Sequence, residues 1–147
     1  MNRIVFLLLL IFCVVSSFAA EKDEKIVFTD VKKQTEEFIG YYKSIELTEE
    51  QKQIKKEALE SMPAPCCKEF PMATCCCPCN LAKAVWGLSN YLIAKKNYDA
   101  VQVKKTVEAW IEFTHPNGHK GDSCSTGRCV QSFENDGCGG VKDQVVY

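Results

Sequence analysis

A dense run of cysteines, PCCKEFPMATCCCPCN, lies at residues 65–80 of this 147-residue chain and restricts how the chain can fold. Six cysteines fall between Cys66 and Cys79, and three of them are consecutive. Neighbouring cysteines rarely bond to each other, because the resulting ring is strained. A triple cysteine is therefore a poor basis for a simple disulfide framework, and the run predicts a loop whose thiols have a special role.

The amino-terminal residues have the layout of a secretory signal peptide. One basic residue, Arg3, precedes twelve consecutive apolar residues, and small residues then lead to Ala19. The apolar run is shorter than the ~20 residues that span a bilayer, which disfavours a membrane anchor. We therefore expect a signal peptide at residues 1–19, a single cysteine-rich helical domain at residues 20–147, and a periplasmic or secreted location without a transmembrane segment after cleavage.

Charge and cysteine number restrict the possible partners. The chain has 18 basic and 19 acidic residues and a net charge of −1, so no basic excess supports nucleic-acid binding. Signal cleavage would leave nine of the ten cysteines, and an oxidising compartment favours disulfides. Because nine is odd, at least one thiol must be unpaired, shared with a partner or bound to something else.

Hydrophobic periodicity predicts a mainly α fold, a small helical bundle with a C-x-C-x-C loop before a helical hairpin. One helix begins after Thr29, and a second begins at a capping box on Thr48 and ends before Pro63. The clearest apolar stripe runs from Leu81 to Leu92, and Asp99 caps the helix after it. The residues predicted to face the interior are Val31, Thr35, Phe38, Ile39, Tyr42, Ile54, Ala58, Met62, Leu81, Ala84, Val85, Trp86, Leu88, Tyr91, Leu92, Val103, Val107, Trp110 and Ile111.

A cysteine-bearing tail, rich in Gly, Ser, Asn and Asp, begins at His115. Its composition predicts irregular structure or a β-hairpin, with strands near Cys129–Phe133 and Val141–Tyr147. The tail contains four residues of types that bind zinc: His115, His119, Cys124 and Cys129. Their spacing matches no motif that we can defend, which favours a disulfide-tied surface loop with exposed histidines.

Metal binding is the first chemistry that suits the loop. Alternating cysteines need only local folding to converge, and all-sulfur sites select soft ions such as copper(I) or zinc(II), or an iron–sulfur cluster. Pro78 is predicted to open the next helix, which would bring backbone N–H groups close to the sulfurs. The candidate ligands are Cys66, Cys67, Cys75, Cys76, Cys77 and Cys79, and the expected ion is copper or zinc.

Two other interpretations stay open. Cys76 and Cys79 form a C-x-x-C motif at a helix start, where a cysteine has a lowered pKa. They are therefore the candidate redox pair of a thiol–disulfide exchange protein. The partner of such a protein would be an envelope thiol protein. Alternatively, disulfides from the loop to the tail would each stabilise the fold by ~2–4 kcal/mol. We favour metal binding. The sequence contains no other catalytic constellation, which disfavours an enzyme.

The segment TCCCPC and the helix pair behind it resemble two groups of proteins. Cys75, Cys77 and Cys79 alternate as in exported bacterial proteins that carry a Pro-Cys-Tyr-Cys-Gly-Cys (PCYCGC) motif, with Thr74 here in place of its proline. The C-x-x-C before a helical hairpin is similar to CcmH-type thiol proteins of cytochrome c maturation. Both resemblances cover residues 64–113 and imply a bacterial envelope protein that uses cysteines for metal or redox handling.

Overall fold

A computed structural model describes residues 25–118, 128–141 and 144–146. Within these ranges the chain is mainly helical, as predicted, with a small antiparallel sheet between the second and third helices. The helices are α1 (Val31–Ser44), α2 (Glu49–Glu60), α3 (Asn80–Lys96) and α4 (Ala100–Thr114), and the strands are β1 (Pro63–Ala64) and β2 (Cys67–Pro71). The predicted signal peptide lies outside the described residues.

Local sequence signals set most of the helix ends. At the start of α2 the predicted capping box forms: the backbone N–H of Gln51 donates to Thr48 Oγ1 at 3.3 Å, and the Thr48 N–H donates to Gln51 Oε1 at 3.1 Å. Asp99 and Gln102 make the same reciprocal pair at the start of α4. Asn97 closes α3 in the left-handed region, at a φ of 54°.

The prediction that Pro78 opens the third helix is wrong. The first helical residue is Asn80, and Cys79 is the N-cap with an extended backbone at ψ 168°. The Cys79 sulfur accepts a hydrogen bond from the backbone N–H of Ala82 at 3.5 Å. A sulfur thus takes the capping position that a Ser or Asp oxygen usually occupies, which places a thiol in the first turn of the helix.

Helix α3 lies at the centre of the bundle and contacts α1, α2 and α4. Gly87 allows the closest of these contacts, because a Cβ atom there would overlap the backbone carbonyl of Phe38 on α1. On the other side of α1, Phe38 meets Trp110 of α4 edge-on, with ring centroids 4.9 Å apart. The cysteine loop leads directly into α3. The central position of this helix therefore keeps the loop close to the rest of the bundle.

The structure confirms most of the predicted interior and corrects six positions. Tyr42 is exposed, and five others are only partly buried: Val31, Ile54, Trp86, Tyr91 and Ile111. Tyr91 stacks on Tyr41 at a centroid distance of 4.6 Å instead of entering the core. The indole N–H of Trp86 donates to the Met72 carbonyl at 2.9 Å, which fastens the cysteine loop to α3.

The described part of the tail contains 3₁₀ turns at Arg128–Val130 and Phe133–Asn135, so the alternative of irregular structure is correct and the strand expected near Cys129–Phe133 does not form. Gly139, at a φ of +72°, packs so closely on the Phe133 ring that a Cβ atom would collide with it. The glycine turn bends the chain back on itself, so this segment does not extend into a strand. Among the described helices, no span has the length and hydropathy needed to cross a bilayer.

Candidate metal centre

Eight cysteines lie in the described residues, and none of them forms a disulfide. Three segments carry them: the β1–β2 connection and β2, the loop before α3, and the tail. The six predicted loop cysteines are all present in this group, and two tail cysteines, Cys129 and Cys138, join them. His119 and Cys124, whose residue types suit zinc, lie outside the described residues.

Four of the sulfurs form a compact group that we call the inner quartet: Cys66, Cys75, Cys79 and Cys138. Cys75 makes side-chain hydrogen-bonding contacts with Cys66 and Cys79. Cys79 contacts Cys66 and Cys138 as well, and Cys138 in turn contacts Cys66. Cys66, Cys79 and Cys138 are at most 1% exposed, and Cys75 is partly buried. Four sulfurs that are linked in this way inside a protein, with Cys75 and Cys138 joined through Cys66 and Cys79, have the composition of a tetrahedral thiolate site.

The other four sulfurs, the outer thiols, adjoin the quartet: Cys67, Cys76, Cys77 and Cys129. Cys67 makes a side-chain contact with Cys76, and the Sγ atoms of Cys77 and Cys129 are 3.2 Å apart. The Sγ atoms of Cys75, Cys76 and Cys77 all lie within 4.8 Å of one another, a group that can hold a metal ion. The triple cysteine therefore connects the outer thiols to the inner quartet.

Three of the inner thiols, Cys75, Cys79 and Cys138, are difficult to deprotonate in the absence of a cation. Hydrogen bonding to Cys66 raises the pKa of Cys75 to about 12. Hydrogen bonding to Cys138 is the largest cause that raises the pKa of Cys79, and hydrogen bonding to Cys66 does the same for the pKa of Cys138. Burial adds to each increase. These thiols are therefore neutral at pH 7, and a soft cation would have to displace their protons.

The raised pKa of Cys79 is opposite to the lowered value expected for a cysteine at a helix start. The reason is that the tail occupies the first backbone donors of α3: the Asn80 N–H donates to the Gly140 carbonyl at 2.8 Å, and the Leu81 N–H donates to the Cys138 carbonyl at 3.0 Å. The Ala82 N–H remains for the Cys79 sulfur. Neighbouring thiols outweigh this single donor, so the environment does not favour Cys79 as a nucleophile.

Polar side chains hold the tail in this position. Asn80 Nδ2 donates to the Gly139 carbonyl at 2.6 Å and to the Gln144 carbonyl at 3.1 Å. Three glycines around Cys138 allow this close approach, and a Cβ atom at Gly137 would overlap the backbone of Gln131. The glycine-rich context of Cys138 is the sequence signal that could have identified it as a member of the site.

His115 has a structural position that differs from the expected exposed histidine. It is 4% exposed, Nε2 lies 3.0 Å from the Gly137 carbonyl, and Nδ1 lies 2.9 Å from Thr114 Oγ1. Because a carbonyl only accepts, Nε2 carries the proton and donates it. Burial lowers the pKa of His115. The Nε2 hydrogen bond thus fixes the segment before Cys138, while Nδ1 contacts the adjacent Thr114, so the histidine expected to be exposed is a buried positioning residue.

The arrangement can hold soft metal ions through sulfur, and it brings together more thiols than the loop alone supplies. Sequence reasoning identified the six loop cysteines as ligands and considered Cys129 and Cys138 as disulfide partners of the loop. Their approach as thiols depends on the docked tail. Comparison with known proteins found no match for this chain among protein-family models, curated proteins or solved structures.

Proposed function

We propose that this protein binds a soft metal ion, copper(I) or zinc(II), through the inner quartet Cys66, Cys75, Cys79 and Cys138. The observation that carries the proposal is the chain of side-chain contacts that links four sulfurs from three separate segments in a largely buried place. Thiolates are soft ligands, and an all-sulfur set selects copper(I) and zinc(II) over hard ions such as magnesium or calcium.

The energetics of the metal-free site support the same function. Neutral thiols packed together make only weak hydrogen bonds, and cysteine packs as a small hydrophobe. A metal ion would replace the thiol protons and supply the positive charge that buried thiolates need. Binding would also join the tail to the loop, so part of the binding free energy would stabilise the fold.

The proposal extends to the site of action. The amino-terminal sequence has the layout of a signal peptide, and the segment around Cys75, Cys77 and Cys79 resembles exported PCYCGC proteins. We therefore place the function in the bacterial envelope, in the periplasm or outside the cell, where the protein would bind or sequester a soft metal. Its partner in that case is the ion itself.

Cobalt(II) substitution for zinc tests the proposal, because the intensity and energy of its absorption bands report how many thiolates surround the ion. We expect reduced protein to bind one cobalt(II) with a tetrathiolate spectrum that zinc(II) abolishes. Cys79→Ser is the informative variant, since serine is a preferred N-cap and preserves the start of α3. It should lose the tetrathiolate spectrum and weaken binding by on the order of tenfold or more.

Cys76→Ser provides the matched control, since it removes an exposed sulfur from the same loop and leaves the quartet intact. Its cobalt(II) spectrum should equal that of the unmodified protein. Circular dichroism is used to check that both variants fold. An unchanged spectrum in Cys79→Ser, or no cobalt(II) binding by the reduced protein, would overturn the proposal.

Thiol–disulfide exchange is the second candidate function. The contact of Cys77 with Cys129 at 3.2 Å favours it, because a small movement would allow a bond between two segments that are distant in sequence. The partner would be an envelope thiol protein. The predicted pair, Cys76 and Cys79, is less favourable, because Cys79 is buried and its pKa is raised. Turnover of a disulfide substrate that is lost in Cys76→Ser and Cys79→Ser would support that pair, and loss in Cys77→Ser alone would shift the activity to Cys77 and Cys129.

A further inference from the structure

We propose that all eight described cysteine sulfurs together bind several copper(I) ions as one thiolate-bridged cluster. This inference rests on the proposed metal-binding function and specifies the metal and the mode of binding. It assigns a role to the outer thiols, which a single tetrahedral ion would leave without one.

The first support is that the sulfur contacts are continuous. Cys67 reaches Cys76, Cys77 reaches Cys129, and Cys75 belongs to the inner quartet. Cys75, Cys76 and Cys77 lie within 4.8 Å of one another and so connect these groups. An electrostatic interaction also links Cys129 to Cys138, which closes the network from the tail side. The sulfur contacts therefore continue beyond the four atoms that a mononuclear zinc site would use.

The second support is the way in which three successive residues diverge. Cys75 faces the quartet, Cys76 faces Cys67, and Cys77 faces Cys129. Each of these three sulfurs therefore has further sulfur neighbours of its own, so an ion held by the three would share its ligands with ions at the adjoining sulfurs. A thiolate can bridge two copper(I) ions, and copper(I) accepts two or three sulfur ligands. Closely spaced sulfurs with different neighbours are the arrangement that bridging requires.

The third support is charge. One zinc(II) on four thiolates leaves a net charge of −2, which is costly in a buried position unless several N–H donors offset it. Here the tail carbonyls occupy two of the first donors of α3. Each thiol that becomes a ligand releases one proton, and each copper(I) contributes one positive charge, with no change in the oxidation state of copper or sulfur. On eight thiolates, more than four copper(I) ions therefore leave less negative charge on each thiolate than one zinc(II) leaves on each of four thiolates.

The test is an anaerobic titration of the reduced protein with copper(I), held in solution by a coloured chelator that competes for the ion. We expect more than one copper(I) per chain to leave the chelator in a single cooperative transition, together with the red luminescence typical of copper(I)–thiolate clusters shielded from water. The double variant Cys67→Ser/Cys76→Ser removes two outer thiols, and Thr74→Ala is the control that changes an exposed residue of the same loop without removing a sulfur.

The double variant should bind fewer copper(I) ions and lose most of the luminescence, yet still bind one cobalt(II) in the inner quartet with an unchanged spectrum. Thr74→Ala should match the unmodified protein. A single copper(I) per chain, unaffected by the double variant, would overturn the cluster and leave the proposed function standing. Failure of both copper(I) and cobalt(II) to bind would overturn both.

Discussion

The backbone N–H of Leu81 donates a hydrogen bond to the carbonyl oxygen of Cys138 at 3.0 Å. This bond joins the first turn of α3 to a residue that is 57 positions later in the chain. Because Cys79 is the N-cap of the same helix, the bond brings the side chains of Cys79 and Cys138 into contact. The docked tail is therefore a structural part of the sulfur site.

Asn80 should be the side chain on which docking of the tail most depends. Asn80→Ala removes the hydrogen bonds to the Gly139 and Gln144 carbonyls, and buried acceptors that lose their donor cost about 1–3 kcal/mol. We expect the free energy of unfolding to fall by that amount and Cys138 to react faster with iodoacetamide in metal-free reduced protein, as measured by peptide mass spectrometry. Asn117→Ala, at an exposed position after α4, is the control. Equal protection of Cys138 in the two variants would contradict the role of Asn80.

The contact between α1 and α3 should depend on Gly87. A Cβ atom at this position overlaps the Phe38 carbonyl, so Gly87→Ala should lower the free energy of unfolding by about 1–3 kcal/mol. Gly40 is the matched control: it lies in α1 with no atom within 4 Å of an added Cβ, and Gly40→Ala should raise that free energy by about 0.5–1 kcal/mol. Urea denaturation measures both. The two substitutions should change the free energy of unfolding in opposite directions. Equal changes would show that α1 and α3 do not pack as described.

His115 should make the metal-free protein less stable in acid. Burial lowers its pKa in the folded state, although hydrogen bonding to Gly137 and the charge of Asp136 oppose this effect. The unfolded chain has the ordinary value near ~6.5. As the pH falls through that value, the unfolded state binds more protons than the folded state, so stability decreases and then levels off below the folded pKa.

The free energy of unfolding of His115→Gln should therefore depend less on pH than that of the unmodified protein between about pH 7.5 and about pH 5.5. The other histidine offers a control, and His119→Gln should retain the full dependence. Carboxylates titrate in both the variant and the unmodified protein. Their contribution is therefore removed when the free energy of unfolding of one is subtracted from that of the other at each pH. An identical slope in His115→Gln would show that His115 does not titrate with folding.

Lys55 should have an unusually acidic ammonium group. Its Nζ donates to Asn90 Oδ1 at 2.8 Å in a groove between α2 and α3, and burial lowers its pKa to about 8. Trace labelling with acetic anhydride across a pH series should give a midpoint near 8 for Lys55, compared with roughly 10.4 for lysine in a model peptide. Asn90→Ala removes the hydrogen-bond acceptor. The difference between its Lys55 midpoint and that of the unmodified protein gives the contribution of this bond to the pKa. A midpoint near the peptide value in the unmodified protein would contradict the burial of this amine.

Much of the scaffold could be predicted, because its determinants are local. Thr48 and Asp99 stand at helix starts with a glutamine three residues later, and both capping boxes form. The stripe from Leu81 to Leu92 specified the helix that became the centre of the bundle. Tyr91 and Ile111 follow the same periodicity but lie at the edges of their buried faces, where periodicity alone cannot separate core from boundary.

The site could be predicted only in part, because its completion is not local. Cys66 to Cys79 form one sequence cluster and were candidates from their spacing. Cys138 joins them because its carbonyl accepts from Leu81 and the carbonyls of its neighbours Gly139 and Gly140 accept from Asn80, across a sequence separation that no periodicity encodes. The lowered pKa expected for Cys79 was wrong for the same reason: the tail carbonyls occupy the donors at the start of α3 and the tail brings a further thiol.

X-ray absorption spectroscopy at the copper edge, on reduced protein loaded with copper(I), would show whether sulfur atoms surround bridged copper ions. The technique identifies the atoms around the metal without requiring crystals. We predict sulfur as the only near neighbour of copper, together with a copper–copper contribution from bridged ions, and loss of that contribution in Cys67→Ser/Cys76→Ser. Nitrogen or oxygen neighbours around the copper, or protein that emerges from loading without copper, would contradict the account.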